Sequence, residues 1–251
     1  MKAFVISLSK IPTSAESSQK VLEQLLEYGL EAELFEGTYG DDATELFVND
    51  QRKIAKYGIK TETITRKQYL KKFPDRRLPD NVLSVSTRQE LNADSNGKIL
   101  RPGVIGCFYS HYRLWKKCIE LNESILIFED DVIFEREYIP VEWNDVILLC
   151  TGKEAYKHDF YCKKLYSPTD TPAAVELHNT SMPGAVGYGI TPQGAKKLVN
   201  YYEHEFLPAD TAMNKFVVNL QCHTHLMGRA ALKEDGKESL TATKFWNKKE
   251  Q

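Results

Sequence analysis

An α/β fold around a mostly parallel central sheet is what this sequence predicts, on three observations. Residues 2–35 read strand, helix, strand, the βαβ unit whose crossover makes its two strands parallel. Ile125-Leu126-Ile127-Phe128 is a short apolar run, rich in β-branched and aromatic residues, of the kind that forms a strand buried on both faces. The acids Glu129-Asp130-Asp131 follow it directly, at the carboxyl end of that strand, where ligands of open α/β sheets gather.

The elements follow in order. Lys2 to Leu8 reads as the first strand. Thr13 to Glu16 offers a capping box for a helix with Val21, Leu22, Leu25, Leu26 and Leu30 at helical spacing and Gly29 as terminator. Glu31 to Phe35 alternates polar and apolar residues and returns as the second strand. From Gly37 to about Pro102 the pattern weakens into short amphipathic pieces broken by Pro74, Pro79 and the Asn96-Gly97 turn, which predicts an insert or lid at about residues 41–100. A helix from about Gly103 to Leu121 precedes the Ile125–Phe128 strand, and Asp145 to Cys150 reads as a strand beside it. Ala185 to Ile190 is a glycine-punctuated strand. Thr191-Pro192 then supplies an N-cap and an N1 proline for a helix to about His204. Pro208 opens a short helix carrying Asp210, and Leu220 to His225 reads as a last strand before a polar tail.

Composition narrows the function classes. A chain of 251 residues with ordinary apolar and charged fractions predicts one domain, residues 1–251. Its net charge of −2 argues against a general nucleic-acid binder. The longest apolar runs are far shorter than the ~18 residues of a membrane span, and the apolar part of the N-terminus ends too soon for a signal peptide. Five cysteines without Cys-x-x-Cys spacing suggest neither a disulfide framework nor a zinc site, so a cytoplasmic location is expected. Charge is unevenly spread: Glu16 to Asp50 holds ten acids and one base, Gln51 to Arg77 ten bases and two acids. The basic stretch, with Lys71, Lys72, Arg76 and Arg77 around Tyr69 and Phe73, reads as a solvated face or as a contact for an anionic acceptor or membrane surface. Lys244-Phe245-Trp246 with Lys248 and Lys249 reads as an interfacial cluster or a disordered tail.

Clustered carboxylates repel one another unless cations hold them. Hard oxygen donors suit Mg²⁺ or Mn²⁺, which in turn bind diphosphate, so the acidic triplet predicts a divalent-metal and nucleotide-diphosphate site. In the preceding helix Ser110 and His111 are polar residues among apolar and aromatic ones and need partners if buried. Gly103 and Gly106 there would let the backbone approach a ligand.

The pairing of Gly103-x-x-Gly106-Cys107-x-x-Ser110-His111-x-x-x-Trp115 with Leu126-Ile127-Phe128-Glu129-Asp130-Asp131-Val132 resembles glycosyltransferase family 25, the bacterial lipooligosaccharide glycosyltransferases. Pro183 to Ile190, Gly194-Ala195-Lys196-Lys197-Leu198 and Leu207-Pro208-Ala209-Asp210 are similar to later parts of the family pattern. The opening strand departs from it, ending in Ser7-Leu8 rather than Asn-Leu. The resemblance covers nearly the whole chain apart from about residues 41–97.

It implies a GT-A-like, Rossmann-type sandwich that transfers a hexose with inversion, commonly galactose from UDP-galactose, to a lipooligosaccharide or lipopolysaccharide acceptor. The implied cofactor is Mn²⁺ or Mg²⁺, and the implied location is cytoplasmic, peripheral on the inner-membrane face. Asp131 is the expected metal ligand, with Glu129 or Asp130 in a second position or on the ribose. His223 and His225, at strand spacing on one face, are candidate third ligands or a solvated sheet face. Asp210 is the implied general base, with a helix N-terminal acid as its plainer role. Ser7, Leu8, Phe35, Gly37, Gly106, Ser110 and His111 are the candidates for the uridine side. Gly187 would admit the sugar or pack a strand. The competing readings are a UDP-glucose enzyme of the same fold, a metal-dependent phosphohydrolase or nucleotidylyltransferase, and a silent sugar-nucleotide-binding homologue.

Overall fold

The computed structural model describes residues 1–50, 53–54, 102–152 and 171–231. Most of the insert, its basic stretch from Gln51 to Arg77 apart from residues 53–54, Cys162 and the aromatic-basic tail lie outside the described residues. The strands are β1 (Lys2–Ser7), β2 (Glu31–Glu36), β3 (Lys53–Ile54), β4 (Ile125–Phe128), β5 (Val132–Phe134), β6 (Val146–Thr151), β7 (Ala174–Glu176), β8 (Gly187–Ile190), β9 (Glu205–Phe206), β10 (Leu220–His223) and β11 (Gly228–Ala230). The helices are α1 (Pro12–Glu27), α2 (Gly40–Asn49), α3 (Pro102–Leu121), α4 (Pro192–Tyr201) and α5 (Ala209–Ala212).

The main sheet runs in the order β2-β1-β4-β8-β6-β10-β7, with β11 joining β5 to β6, and β3 pairs with β9 apart from it. β2, β1 and β4 are mutually parallel, β8 is antiparallel to both of its neighbours, and β6 and β10 are parallel to each other. The sheet is therefore open and mostly parallel, in a mixed α/β, Rossmann-like fold.

Side-chain alternation builds the layers. Phe4, Ile6, Ile125, Ile127, Val146 and Leu148 face α3 and α4, in a core with Trp115, Phe108 and Leu198. Ala3, Val5, Leu126, Phe128, Ile147 and Leu149 face the other way, against Val21 and Leu25 of α1. Both sheet faces are covered, which explains why these strands read as continuous apolar runs.

Two helix ends behave as chemistry demands. Gly29, at φ +76°, ends α1; its N–H bonds Leu26 C=O and the Leu30 N–H bonds Leu25 C=O, the Schellman pattern. Thr191 caps α4, its hydroxyl accepting from the Gly194 N–H at 3.1 Å. The capping box expected at Thr13 is not formed. Pro12 starts α1 at its first position with Ile11 as cap residue, and the Ser14 hydroxyl turns back to accept from the Leu8 N–H at 3.0 Å. The expected lid region opens with a regular helix, α2, whose buried Ala43 joins the core beside α3. Among the described residues no helix is long and apolar enough to cross a membrane.

Candidate functional site

The strand order reverses beside β1, which has β2 on one side and β4 on the other, so the carboxyl ends of these three parallel strands lie at one edge of the sheet, where ligands of such sheets bind. On β4, Phe128 points toward α1, so the next residue, Glu129, turns toward α3. It meets Cys107 and His111, which stand four residues apart on one face of that helix.

A hydrogen-bonded chain fixes this corner. The imidazole of His111 is fully buried, with Nδ1 2.9 Å from the Tyr188 hydroxyl and Nε2 3.2 Å from Glu129 Oε1. The indole N–H of Trp115 donates to the same hydroxyl at 2.9 Å. An ionised Glu129 only accepts, which assigns a proton to Nε2. The Nδ1 lone pair then takes the Tyr188 O–H, whose oxygen receives the Trp115 N–H, and every polar group in the chain is satisfied. The Cys107 thiol donates to the same Oε1 at 3.6 Å.

Three acids act on this corner electrostatically. Burial is the main cause that pushes the Cys107 thiol well above its ordinary pKa, followed by Glu129, Asp210 and Asp131. Asp131, from the turn after β4, and Asp210, from α5, are thus both within electrostatic reach of one thiol. Asp210 Oδ1 accepts from the Thr211 N–H at 2.7 Å and hydroxyl at 3.1 Å. Buried Asn214 holds the end of α5, donating to the Thr211 and Ala212 carbonyls and to the Tyr202 hydroxyl.

Of the residues assigned to the uridine side, Ser7, Leu8, Gly37, Gly106 and Ser110 pack at or beside the ends of β1 and β2, largely against one another and their neighbours, whereas His111 belongs to the corner at Glu129. Ser7 accepts from Ser18 at 2.7 Å inside the α1 interface, and Ser110 accepts from the Thr38 N–H while donating to Gly106 C=O, both at 2.8 Å. A Cβ on Gly37 would stand 3.0–3.2 Å from Leu8, Ile6 and Ser110. Gly106 does not open the helix to a ligand as expected: a Cβ there would lie 2.5 Å from the Thr38 carbonyl oxygen, so its absence lets the chain after β2 cross α3. Gly106→Ala is expected to cost about 1–3 kcal/mol through overpacking against backbone. An unchanged urea midpoint would contradict that contact.

Three neighbours at this end escaped the sequence reading. Tyr39 donates to Glu36 Oε1 at 2.8 Å and accepts from the Lys10 N–H at 2.7 Å, with the Lys10 ammonium 5.0 Å from its ring. Burial works to raise the Glu36 carboxyl, but hydrogen bonds from Tyr39 and Ser9 outweigh it and hold the group below its usual value. Exposed Arg113 lies 4.9 Å over the Phe35 ring and donates to Glu36 C=O.

Two further expectations are corrected. Gly187 does not leave room for a sugar: a Cβ would meet Cys150 at 2.7 Å and Phe128 at 2.9 Å, so the residue serves the packing of β8 between β4 and β6. His223 is not available as a metal ligand. Its Nε2–H donates to Ile139 C=O at 2.8 Å and its Nδ1 accepts the His225 N–H at 2.9 Å, which uses both nitrogens. β10 ends at His223, so the strand alternation that would align His225 with it stops there. Among the described residues, the three-donor group with ligand atoms within 4.8 Å of one another is Cys107, His111 and Glu129, which contains neither histidine of this pair.

Burial, above all, holds the His223 imidazole below its ordinary pKa of 6.5. The unfolded chain therefore takes up that proton first, and native stability is lost as pH falls from 6.5 toward the depressed native value. His223→Gln should flatten the stability decline in that window; an unchanged pH slope would refute the assignment.

Comparison with known proteins bears on this geometry. The family model described as "Glycosyltransferase family 25 (LPS biosynthesis protein)" matches residues 1–213. A Haemophilus influenzae protein named "Lipooligosaccharide biosynthesis protein lex-1" is 28% identical over 138 residues, 49% of this chain and 44% of that protein. "Procollagen galactosyltransferase 1-A" of Xenopus laevis is 29% identical over 119 residues, 42% of this chain and 18% of that protein. A Rattus norvegicus protein named "Probable inactive glycosyltransferase 25 family member 3" is 29% identical over 124 residues, 46% of this chain and 21% of that protein. The chain thus aligns with less than half the length of each of these relatives.

Proposed function

This chain belongs to glycosyltransferase family 25, and from that premise we propose that it is an inverting, metal-dependent hexosyltransferase of GT-A-like design. Its donor is UDP-galactose and its acceptor a lipooligosaccharide or related glycan. The observation that carries this reading is that Glu129, Asp131 and Asp210 all act electrostatically on one thiol, Cys107, beside the open end of β4 and the strand-order reversal. The names of the Haemophilus and Xenopus relatives support the acceptor class and the sugar respectively.

Carboxylate oxygens are the donors a hard divalent ion prefers, and partly exposed Asp131 after β4 and Asp210 on α5 both act electrostatically on the Cys107 thiol beside Glu129. Asp131, with Glu129 or Asp130, would hold Mn²⁺ or Mg²⁺. When bound, the ion would offset the charge that builds on the departing diphosphate. His111 and Cys107 hold Glu129 against α3, so the acid reaches the site already oriented.

Asp210 acts as general base. The acceptor oxygen forms a bond to the anomeric carbon as the bond from that carbon to the diphosphate oxygen breaks. The electron pair leaves with UDP and the hydroxyl proton passes to Asp210. One displacement of this kind inverts the anomeric centre. The Ser7, Leu8, Phe35 and Gly37 corner, with Tyr39, Lys10 and Arg113 beside it, forms the nucleoside side.

The test is product formation. With UDP-galactose, a divalent ion and truncated lipooligosaccharide, mass spectrometry should detect one added hexose residue. No addition from UDP-galactose, but addition from UDP-glucose, would reassign the donor; no addition from any UDP-hexose would favour the silent reading that the name of the rat relative illustrates.

A further inference from the structure

We infer that Cys107, His111 and Glu129 form a binding site for a borderline-soft divalent cation, zinc, which leaves Asp130 as the partner of Asp131 at a diphosphate-binding Mg²⁺ or Mn²⁺ site. The three residues offer one sulfur, one nitrogen and one oxygen, all within 4.8 Å of one another. Mg²⁺ asks for an octahedron of oxygens, whereas a mixed sulfur, nitrogen and oxygen set suits zinc.

The spacing agrees with a tetrahedral centre. Ligand atoms about 2.0–2.3 Å from such a centre stand roughly 3.3–3.5 Å apart. His111 Nε2 lies 3.2 Å and Cys107 Sγ 3.6 Å from Glu129 Oε1, so two edges of the tetrahedron are already formed.

The imidazole is also oriented as a zinc ligand requires. Metal-bound histidines use one nitrogen for the ion and tie the other to an outer partner. Here Nδ1 meets the Tyr188 hydroxyl, itself held by Trp115, while the fully buried ring aims Nε2 at Cys107 and Glu129. Cys107 and Glu129 are partly exposed, and a water would complete the tetrahedral set.

The proton balance is explicit. On binding, the Cys107 thiol proton is released to solvent and the imidazole proton moves from Nε2 to Nδ1, where it donates to the Tyr188 oxygen. Tyr188 turns its own hydroxyl proton away from the ring and loses its Nδ1 acceptor, a cost that the metal–ligand bonds must outweigh. Affinity therefore rises with pH. Zinc binding here stands whether or not the chain transfers sugar.

Cobalt(II) is the probe. Full-length protein stripped with chelator and titrated with cobalt, without donor, should bind one equivalent and develop a near-ultraviolet thiolate-to-cobalt band that zinc abolishes. Cys107→Ser, checked by circular dichroism, should lose the band and bind cobalt more weakly by over about tenfold, since loss of even an outer-shell partner costs that much. Glu129→Gln should weaken binding while keeping the band. Absence of the band in the wild type, or its persistence in Cys107→Ser, would overturn the site. A UDP-release assay on the same preparation reports the transferase reading separately, so the two can fail independently.

Discussion

Asp210→Asn is expected to lower sugar-transfer turnover by about 10²–10⁴-fold, the range a positioned general base contributes, while leaving donor affinity nearly unchanged. The amide keeps the size of the carboxylate and can still accept from the Thr211 N–H and hydroxyl through its oxygen, so the first turn of α5 has no reason to rearrange. What it loses is the capacity to take a proton. Buried Asn214 and Tyr202 secure the end of α5 independently of that charge. Stopped-turnover kinetics with saturating donor, beside calorimetric UDP binding, check the point. A variant with unaltered turnover would reduce Asp210 to a helix-terminal acid, and one that also lost UDP binding would make it part of the donor site instead.

His111→Leu is expected to be the most destabilising change in the corner, costing about 2–4 kcal/mol, because it leaves the buried Tyr188 hydroxyl proton without an acceptor and removes the donor to Glu129. Tyr188 and His111 are both wholly buried, so water cannot readily replace the lost bond to the hydroxyl. The diagnostic is the double variant with Tyr188→Phe. Once the hydroxyl is gone, part of the His111→Leu penalty disappears, and the two changes should cost less together than separately by about 0.5–3 kcal/mol. Strict additivity in urea melts would mean that the two side chains do not form one network.

Much of the frame was legible because it rests on local chemistry. β4 and its acids were plain, since only a strand buried on both faces has reason to be apolar at every position and then turn acidic. The Thr191 cap of α4 was equally plain, because cap and first-turn proline sit side by side in the chain. β5, β7 and β11 were not visible, as three-residue strands owe their existence to pairing partners distant in sequence. α2 carried Ala43, Leu46 and Phe47 at helical spacing and was readable, but its acids and the weak pattern that follows it blurred its end into the expected lid.

The site divides along the same line. The roles of Glu129, Asp131 and Asp210 were suggested by motif, and the fold brings the three acids near one thiol. Tyr188 was missed because its partners His111 and Trp115 lie more than seventy residues away, across the antiparallel step from β4 to β8. Cys107 had a usable signal, its four-residue spacing from His111 on one helix face, which is not a Cys-x-x-Cys pattern. Gly106 and Gly187 were read as openings for a ligand, but a glycine marks only that something comes close. Here the Thr38 carbonyl and the Cys150 and Phe128 side chains fill those places.

The central claim is tested most directly by UDP release without acceptor, comparing wild type with Asp131→Ala across UDP-galactose, UDP-glucose and the UDP-N-acetylhexosamines, with Mn²⁺ or Mg²⁺ and with chelator. The account predicts divalent-dependent release from one donor, strongest for UDP-galactose, that chelator and Asp131→Ala both abolish. Equal release by Asp131→Ala, or no release from any donor together with no donor binding, would contradict it.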